Sequence, residues 1–242
     1  MEHIIRLNAL IEVLRTSAGR INKILIQKEP GPGRIAEVVR EARSRRVPFV
    51  FIPKCRLDQM APGHQGALAI LSGREFSTLD EILAASQNPF LVILDGVEDP
   101  QNMGAILRSA ECAGADGVII PGHRSAGLTD AVLQVSAGAA EHLKVCRVVN
   151  LARTMEELKS RGLWLAGAEA EADGLWYEFD YTGPVGIVLG SEGKGLRPLV
   201  RRACDRILSI PLRGKVNSLN VSAAAAVFFF EVLRQRMGKK PA

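Results

Sequence analysis

From Pro89 onward the chain alternates short, wholly apolar runs with amphipathic segments, and this alternation constrains the fold more than any other feature. Phe90 to Leu94, Gly117 to Ile120, Leu143 to Val148, Leu163 to Gly167, Gly186 to Leu189 and Ile207 to Ile210 read as strands. Between most of them lie helical patterns at Met103 to Ala113, Thr129 to Ser136 and Leu151 to Arg161. A strand apolar on both faces needs cover on both sides, so the pattern predicts an α/β fold with a parallel sheet between helical layers.

Two glycine-bearing turns follow the last two of these runs. Gly190-Ser191-Glu192-Gly193-Lys194-Gly195 leaves the first, and the second passes through Asn217-Ser218-Leu219-Asn220-Val221-Ser222 into the helix-forming run Ala223 to Ala226. Loops at strand ends, one leading into a capped helix, predict a ligand crevice. Phosphate fingerprints fail there. A Walker A loop would need glycine where Val188 stands and Ser or Thr where Gly195 stands, and G-x-G-x-x-G is absent.

The first eighty residues are different. Leu7 to Leu14 predicts an amphipathic helix, Ile21 to Ile26 a strand, Glu29 to Gly33 a turn, Arg34 to Arg46 a helix, and Pro48 to Ile52 and Ala67 to Leu71 two further strands. These eighty residues hold 13 Lys+Arg against 8 Asp+Glu, so the whole net charge of +5 lies in the N-terminal third. Arg43, Arg45, Arg46, Lys54 and Arg56 are the cations expected to meet a polyanion. The predicted organisation is a small domain over 1–72, a connection over 73–88 and a larger domain over 89–242.

Cys55, Cys112, Cys146 and Cys204 lack metal-ligand spacing, and His3, His64, His123 and His142 are equally dispersed. Free thiols and no metal are the expectation. No apolar run approaches the roughly 20 residues of a membrane helix, so a cytoplasmic protein is expected.

Leu94-Asp95-Gly96-Val97-Glu98-Asp99-Pro100-Gln101-Asn102-Met103-Gly104-Ala105-Ile106-Leu107-Arg108 and the two C-terminal turns resemble, in order, the three motifs of the SpoU (TrmH) family of RNA 2'-O-ribose methyltransferases. The N-terminal part resembles, more loosely, an L30e-like substrate-binding domain. The resemblance implies a SPOUT-class domain whose C-terminal segment forms a deep trefoil knot, a topology that general folding rules would reject. It also implies S-adenosylmethionine as cofactor, gripped by backbone around Leu189, Gly190, Gly193, Ile210 and Leu219. A β-branched residue at Gly190 is then expected to obstruct the crevice while sparing the fold.

For the chemistry, the resemblance implies Arg108 with Asn102, Glu192, Ser218 and Asn220. Without it, Arg108 reads as a surface residue paired with Glu111. The implied substrate is a guanosine of 23S rRNA, with tRNA as the alternative; a noncatalytic RNA-binding or ribosome-assembly factor is the reading from another class. A homodimer with active sites completed across the interface is also implied. Val227-Phe228-Phe229-Phe230 lends this support, because three consecutive rings span about 200° of a helix and one of them, Phe229 or a neighbour, should meet a partner.

Overall fold

The computed structural model describes residues 3–28, 33–71, 75–172 and 174–238. The turn residues Glu29-Pro30-Gly31-Pro32 and the boundary expected near Ser72 lie outside the described residues. The chain divides into two compact units, one comprising Met1–Phe76 with Gly127–Asp130 and the other the remainder.

The smaller unit runs β1 (His3–Ile4), α1 (Leu7–Thr16), a 3-10 turn (Ala18–Arg20), β2 (Ile21–Gln27), α2 (Arg34–Ser44), β3 (Phe49–Ile52), α3 (Lys54–Met60) and β4 (Ala67–Leu71). Its sheet has the order β1-β4-β2-β3, with β2 and β3 parallel and β4 antiparallel to both β1 and β2. Leu10 and Leu14 of α1 and Ile35, Val38 and Ala42 of α2 are buried on one face of this sheet with Ile24 and Ile26. Leu57 of α3, which the sequence reading left without a helix, closes the other face with Leu25 and Leu68. Both α1 and α2 therefore present the apolar stripe that the 3.6-residue period requires.

The larger unit runs α4 (Leu79–Leu83), β5 (Phe90–Asp95), α5 (Pro100–Cys112), β6 (Gly117–Pro121), α6 (Asp130–Val135), α7 (Ala139–His142), β7 (Lys144–Val148), α8 (Leu151–Ser160), β8 (Trp164–Ala168), β9 (Gly174–Leu175), β10 (Val185–Gly190), α9 (Pro198–Ala203), β11 (Arg206–Ser209) and α10 (Val221–Gly238). Its seven strands lie in the order β7-β6-β5-β10-β8-β11-β9, every neighbouring pair parallel. All residues of β5 and β10 are buried, as the apolar runs Phe90 to Leu94 and Gly186 to Leu189 within them require. Leu91, Ile93 and Val188 face a cluster with Leu158 of α8 and Val200 of α9. On the opposite face Phe90 meets Phe229 of α10 edge-on, 5.7 Å between centroids.

Within the stretch predicted as a connection, residues from Ser77 onward belong to the larger unit. Thr78 and Glu81 form a reciprocal capping box at the start of α4, and Ile82 is buried in the sheet core. The far end of α10 is tied down by Arg236, whose guanidinium donates to the carbonyls of Asn88 (3.0 Å), Gly183 (2.9 Å) and Tyr181 (3.2 Å).

The order of strands locates the functional region. From β5 the chain winds outward through β6 and β7, then returns to build the sheet on the other side of β5, with β10 directly alongside it. Such a reversal leaves a crevice at the carboxyl ends of the strands, because the loops there diverge to opposite sides.

Candidate functional site

At that end Gly190 lies in register with Asp95, so the loop leaving β10 begins beside the loop leaving β5. The β10 loop folds back on itself: the Ser191 N–H donates to the Gly195 carbonyl (3.1 Å) and the Gly195 N–H to the Ser191 carbonyl (3.0 Å). Gly193 and Gly195 adopt φ of +80° and +64°, a left-handed conformation that glycine reaches without steric cost. Gly190 is needed for a different reason. A Cβ there would lie 2.2 Å from the Gly195 carbonyl carbon and 2.5 Å from the Leu196 nitrogen. A larger residue at Gly190 would thus strike the loop's own backbone, so the expected obstruction of the crevice with a largely intact fold comes with a local displacement of this loop.

The loop is also anchored from below. Asp95, 1% exposed, accepts from the Arg197 backbone N–H (2.8 Å) and from its Nε (2.5 Å), fastening the loop's exit to the end of β5. The sequence reading did not single out this pair, whose partners stand 102 residues apart.

A cavity of about 330 Å³ opens beside the loop. Leu189, Gly190, Gly193, Ile210 and Leu219, the five residues expected around a cofactor, all line it, as do Glu192 and Ser218. Three groups of lining residues went unanticipated: Ala168 to Ala170 at the end of β8 and just beyond it, Leu212, and one face of α10 through Val221, Ala224 and Phe228. The 3.6-residue spacing of Val221, Ala224 and Phe228 was available in the sequence; the face it would serve was not.

At the lip of the cavity three predicted side chains meet. Asn102 Nδ2 donates to Glu192 Oε2 (3.2 Å), and Asn220 Nδ2 donates to Asn102 Oδ1 (2.9 Å) and toward Glu192 Oε1 (3.4 Å). Asn220 Oδ1 accepts from the Ser222 N–H (2.9 Å) and hydroxyl (2.6 Å), which fixes the orientation of its amide and caps α10. Asn102 is held in place by the start of α5, where the Asp99 side chain accepts from its N–H (3.0 Å) and Pro100 occupies the first turn. Glu192 thus accepts from amides on two other motifs, and the network joins all three.

Arg108 does not join this cluster. Six residues beyond Asn102 on α5, it stands about 9 Å further along the axis and about 120° around it. It is exposed, and among the described residues no hydrogen bond or ion pair engages it, Glu111 included. Ser218 lines the cavity without entering the network.

The five basic residues of the smaller unit expected to meet a polyanion form two groups. Arg43, Arg45 and Arg46 lie where α2 leads into β3, with the Arg43 guanidinium 5.8 Å from the centre of the Phe49 ring. Lys54 and Arg56 lie on α3, beyond the other end of β3. All five are exposed, and a strand length of about 10 Å separates the groups, so they are not one patch.

The aromatic run on α10 is resolved within one chain at two positions. Phe228 and Phe229 are buried, so of the residues expected to meet a partner, Phe229 or a neighbour, it is Phe230, 48% exposed, that remains available. Among the described residues no group of three or more His, Cys, Asp or Glu side chains could hold a metal ion. No described helix is long and apolar enough to cross a membrane.

Comparison with known proteins adds to this geometry. The sequence pattern of the SpoU rRNA Methylase family matches residues 89–230, and that of the RNA 2'-O ribose methyltransferase substrate-binding family matches residues 7–77. The chain is 41% identical over 243 residues to the 23S rRNA (guanosine-2'-O-)-methyltransferase RlmB of Haemophilus influenzae, covering 98% of this chain and 99% of that one. It is 40% identical over 240 residues to YacO of Bacillus subtilis, named for the TrmH family of tRNA/rRNA methyltransferases, covering 97% and 96%. Among solved structures, the SpoU methyltransferase AviRb of Streptomyces viridochromogenes in complex with AdoMet superposes with a TM-score of 0.63 at 25% identity, over 98% of this chain and 91% of that one. The strand order, the glycine loop and the three joined motifs are thus those of a chain that belongs to the SpoU rRNA methylase family.

Proposed function

We infer that this protein is an S-adenosylmethionine-dependent RNA ribose 2'-O-methyltransferase acting on a guanosine of 23S rRNA. The observation that carries the reading is the joining of Asn102, Glu192 and Asn220 at the lip of a cavity lined by all five residues expected around the cofactor. The full-length relationship to RlmB supports the substrate, and that to YacO keeps tRNA as the alternative.

The cavity suits the cofactor. Its volume falls in the range of small-molecule sites, and Leu189, Ile210, Leu212, Val221 and Phe228 offer apolar walls for a flat base. The glycine loop allows backbone N–H and C=O groups to approach closely. S-adenosylmethionine supplies, when bound, an electrophilic methyl group on a sulfonium. The chain's own contribution is position: the Asn102–Glu192–Asn220 network fixes the loop edge and offers Glu192 to orient a ribose hydroxyl. Bringing the 2'-oxygen in line accounts for a large share of the rate gain.

Arg108, exposed and uncommitted among the described residues, belongs in this reading to the RNA side. Arginine gives up its proton so reluctantly that it is a poor base, so its role is to hold a phosphate with a bidentate fork and to assist loss of the 2'-hydroxyl proton. Its distance from its own chain's network fits a homodimer in which Arg108 completes the partner's site, and Phe230 supplies exposed apolar surface on α10 for the contact. The trefoil knot and a cytoplasmic location belong to the same reading. The test is to incubate the protein with radiolabelled S-adenosylmethionine and separated rRNA and tRNA and to map the label. Label on a ribose of 23S rRNA is expected; label in neither RNA overturns the reading.

A further inference from the structure

We propose that the open edge of β3, centred on Phe51, is a stacking platform for an unpaired base of the RNA substrate. Among the described residues β3 stands at the sheet edge, paired with β2 alone. Side chains alternate along it: Val50 and Ile52 pack into the core on the α3 face, while Phe49 and Phe51 point to the other. Phe49 is half-buried against the α1 and α2 core, but Phe51 is 44% exposed. The two rings meet edge to face, 5.8 Å apart at 88°, so Phe49 buttresses Phe51 and holds it upright at the edge.

The backbone of the same residues is turned outward. Ile24 N–H donates to the Pro48 carbonyl (2.9 Å) and Lys28 N–H to the Ile52 carbonyl (2.8 Å), so Pro48, Val50 and Ile52 face β2. The N–H and C=O groups of Phe49 and Phe51 consequently face the open side, beside the exposed ring. An apolar ring flanked by donors and acceptors that, among the described residues, no partner engages suits a base, which has a π-face and a polar edge.

Charge selects the occupant. Arg43, Arg45 and Arg46 stand at one end of the strand and Lys54 and Arg56 at the other, so a single strand laid along the edge meets a cation at each end and an aromatic surface between. This is the combination used for single-stranded nucleic acid: a basic track for phosphates with aromatic rings for bases. An edge strand could instead add a strand from a protein or from a second copy of this chain; the five flanking cations favour the polyanion.

The proposal rests on the RNA reading above, and its test measures binding directly so that the two fail separately. A short oligoadenylate and an abasic ribose-phosphate chain of equal length are titrated into the full protein and into Phe51→Ala, Phe51→Leu and Phe51→Trp. Phe51→Ala and Phe51→Leu should weaken oligoadenylate binding by about 5- to 150-fold, the range of one base–aromatic stack. Neither should alter binding of the abasic chain or the salt slope, since no charge changes. Phe51→Trp should restore affinity, with fluorescence quenching absent from the parent, whose tryptophans are Trp164 and Trp176. Equal oligoadenylate binding by Phe51→Leu and the parent overturns the platform, even if methyl transfer is intact. So does a change confined to self-association or protein binding.

Discussion

Replacing Gly190 by alanine adds one methyl group at the most crowded backbone position of the site. That methyl would lie 2.2 Å from the Gly195 carbonyl carbon, 2.4 Å from its oxygen and 2.5 Å from the Leu196 nitrogen, none of them a flexible side-chain end. To restore ordinary contact the loop must retreat by about 1 Å or more, which breaks the reciprocal Ser191–Gly195 bonds of 3.1 and 3.0 Å. Overpacking costs about 1–3 kcal/mol and two lost backbone bonds about 1 kcal/mol each, so the larger unit should lose about 3–5 kcal/mol. Gly193→Ala is the control. Nothing lies within 4 Å of a Cβ at Gly193, and its φ of +80° costs a side chain about 1–2 kcal/mol. Urea unfolding followed by circular dichroism should rank Gly190→Ala well below Gly193→Ala, and calorimetry should show cofactor affinity reduced at least tenfold by the former. Equal midpoints for the two variants, or a Gly190→Ala protein that binds like the parent, would refute the reasoning.

Arg108→Ala should keep cofactor affinity and lose methyl transfer by several orders of magnitude; near-normal turnover would make it an ordinary surface arginine. Neutralising Arg43, Arg45 and Arg46 together should lower the salt slope of RNA binding by about 2, at about 0.7 per phosphate contact on a single strand, while sparing the cofactor; an unchanged slope places this end of β3 away from RNA. Burial pushes the Cys146 thiol up to about 11 and the Cys204 thiol up to about 12, so both stay protonated near neutral pH, whereas Cys55 and Cys112 are exposed. Alkylation at pH 8 read by mass spectrometry should therefore label Cys55 and Cys112 first, and early labelling of Cys204 would contradict the burial. Light scattering at micromolar concentration should report a dimer that Phe230→Asp weakens; a fully active monomer would remove the shared site.

Local order was legible in the chain because it depends on neighbours in sequence. The unbroken apolar runs at Phe90 to Leu94 and Gly186 to Leu189 required burial on both faces, and β5 and β10 are buried throughout. The helical pattern from Met103 lies in α5, which begins three residues earlier at Pro100, and the alanine run after Ser222 lies in α10. The short helices α3 and α9 escaped notice, since six or seven residues complete too few turns to establish a period. Three consecutive phenylalanines announced more apolar surface than one stripe can cover, but not its division: Phe229 against Phe90, Phe228 against the cavity, Phe230 outward. Nor could the chain alone bring Asn102, Glu192 and Asn220 together or set Arg197 on Asp95. Those contacts exist because β10 pairs directly with β5, and strand order is settled by how whole faces pack rather than by any local residue pattern.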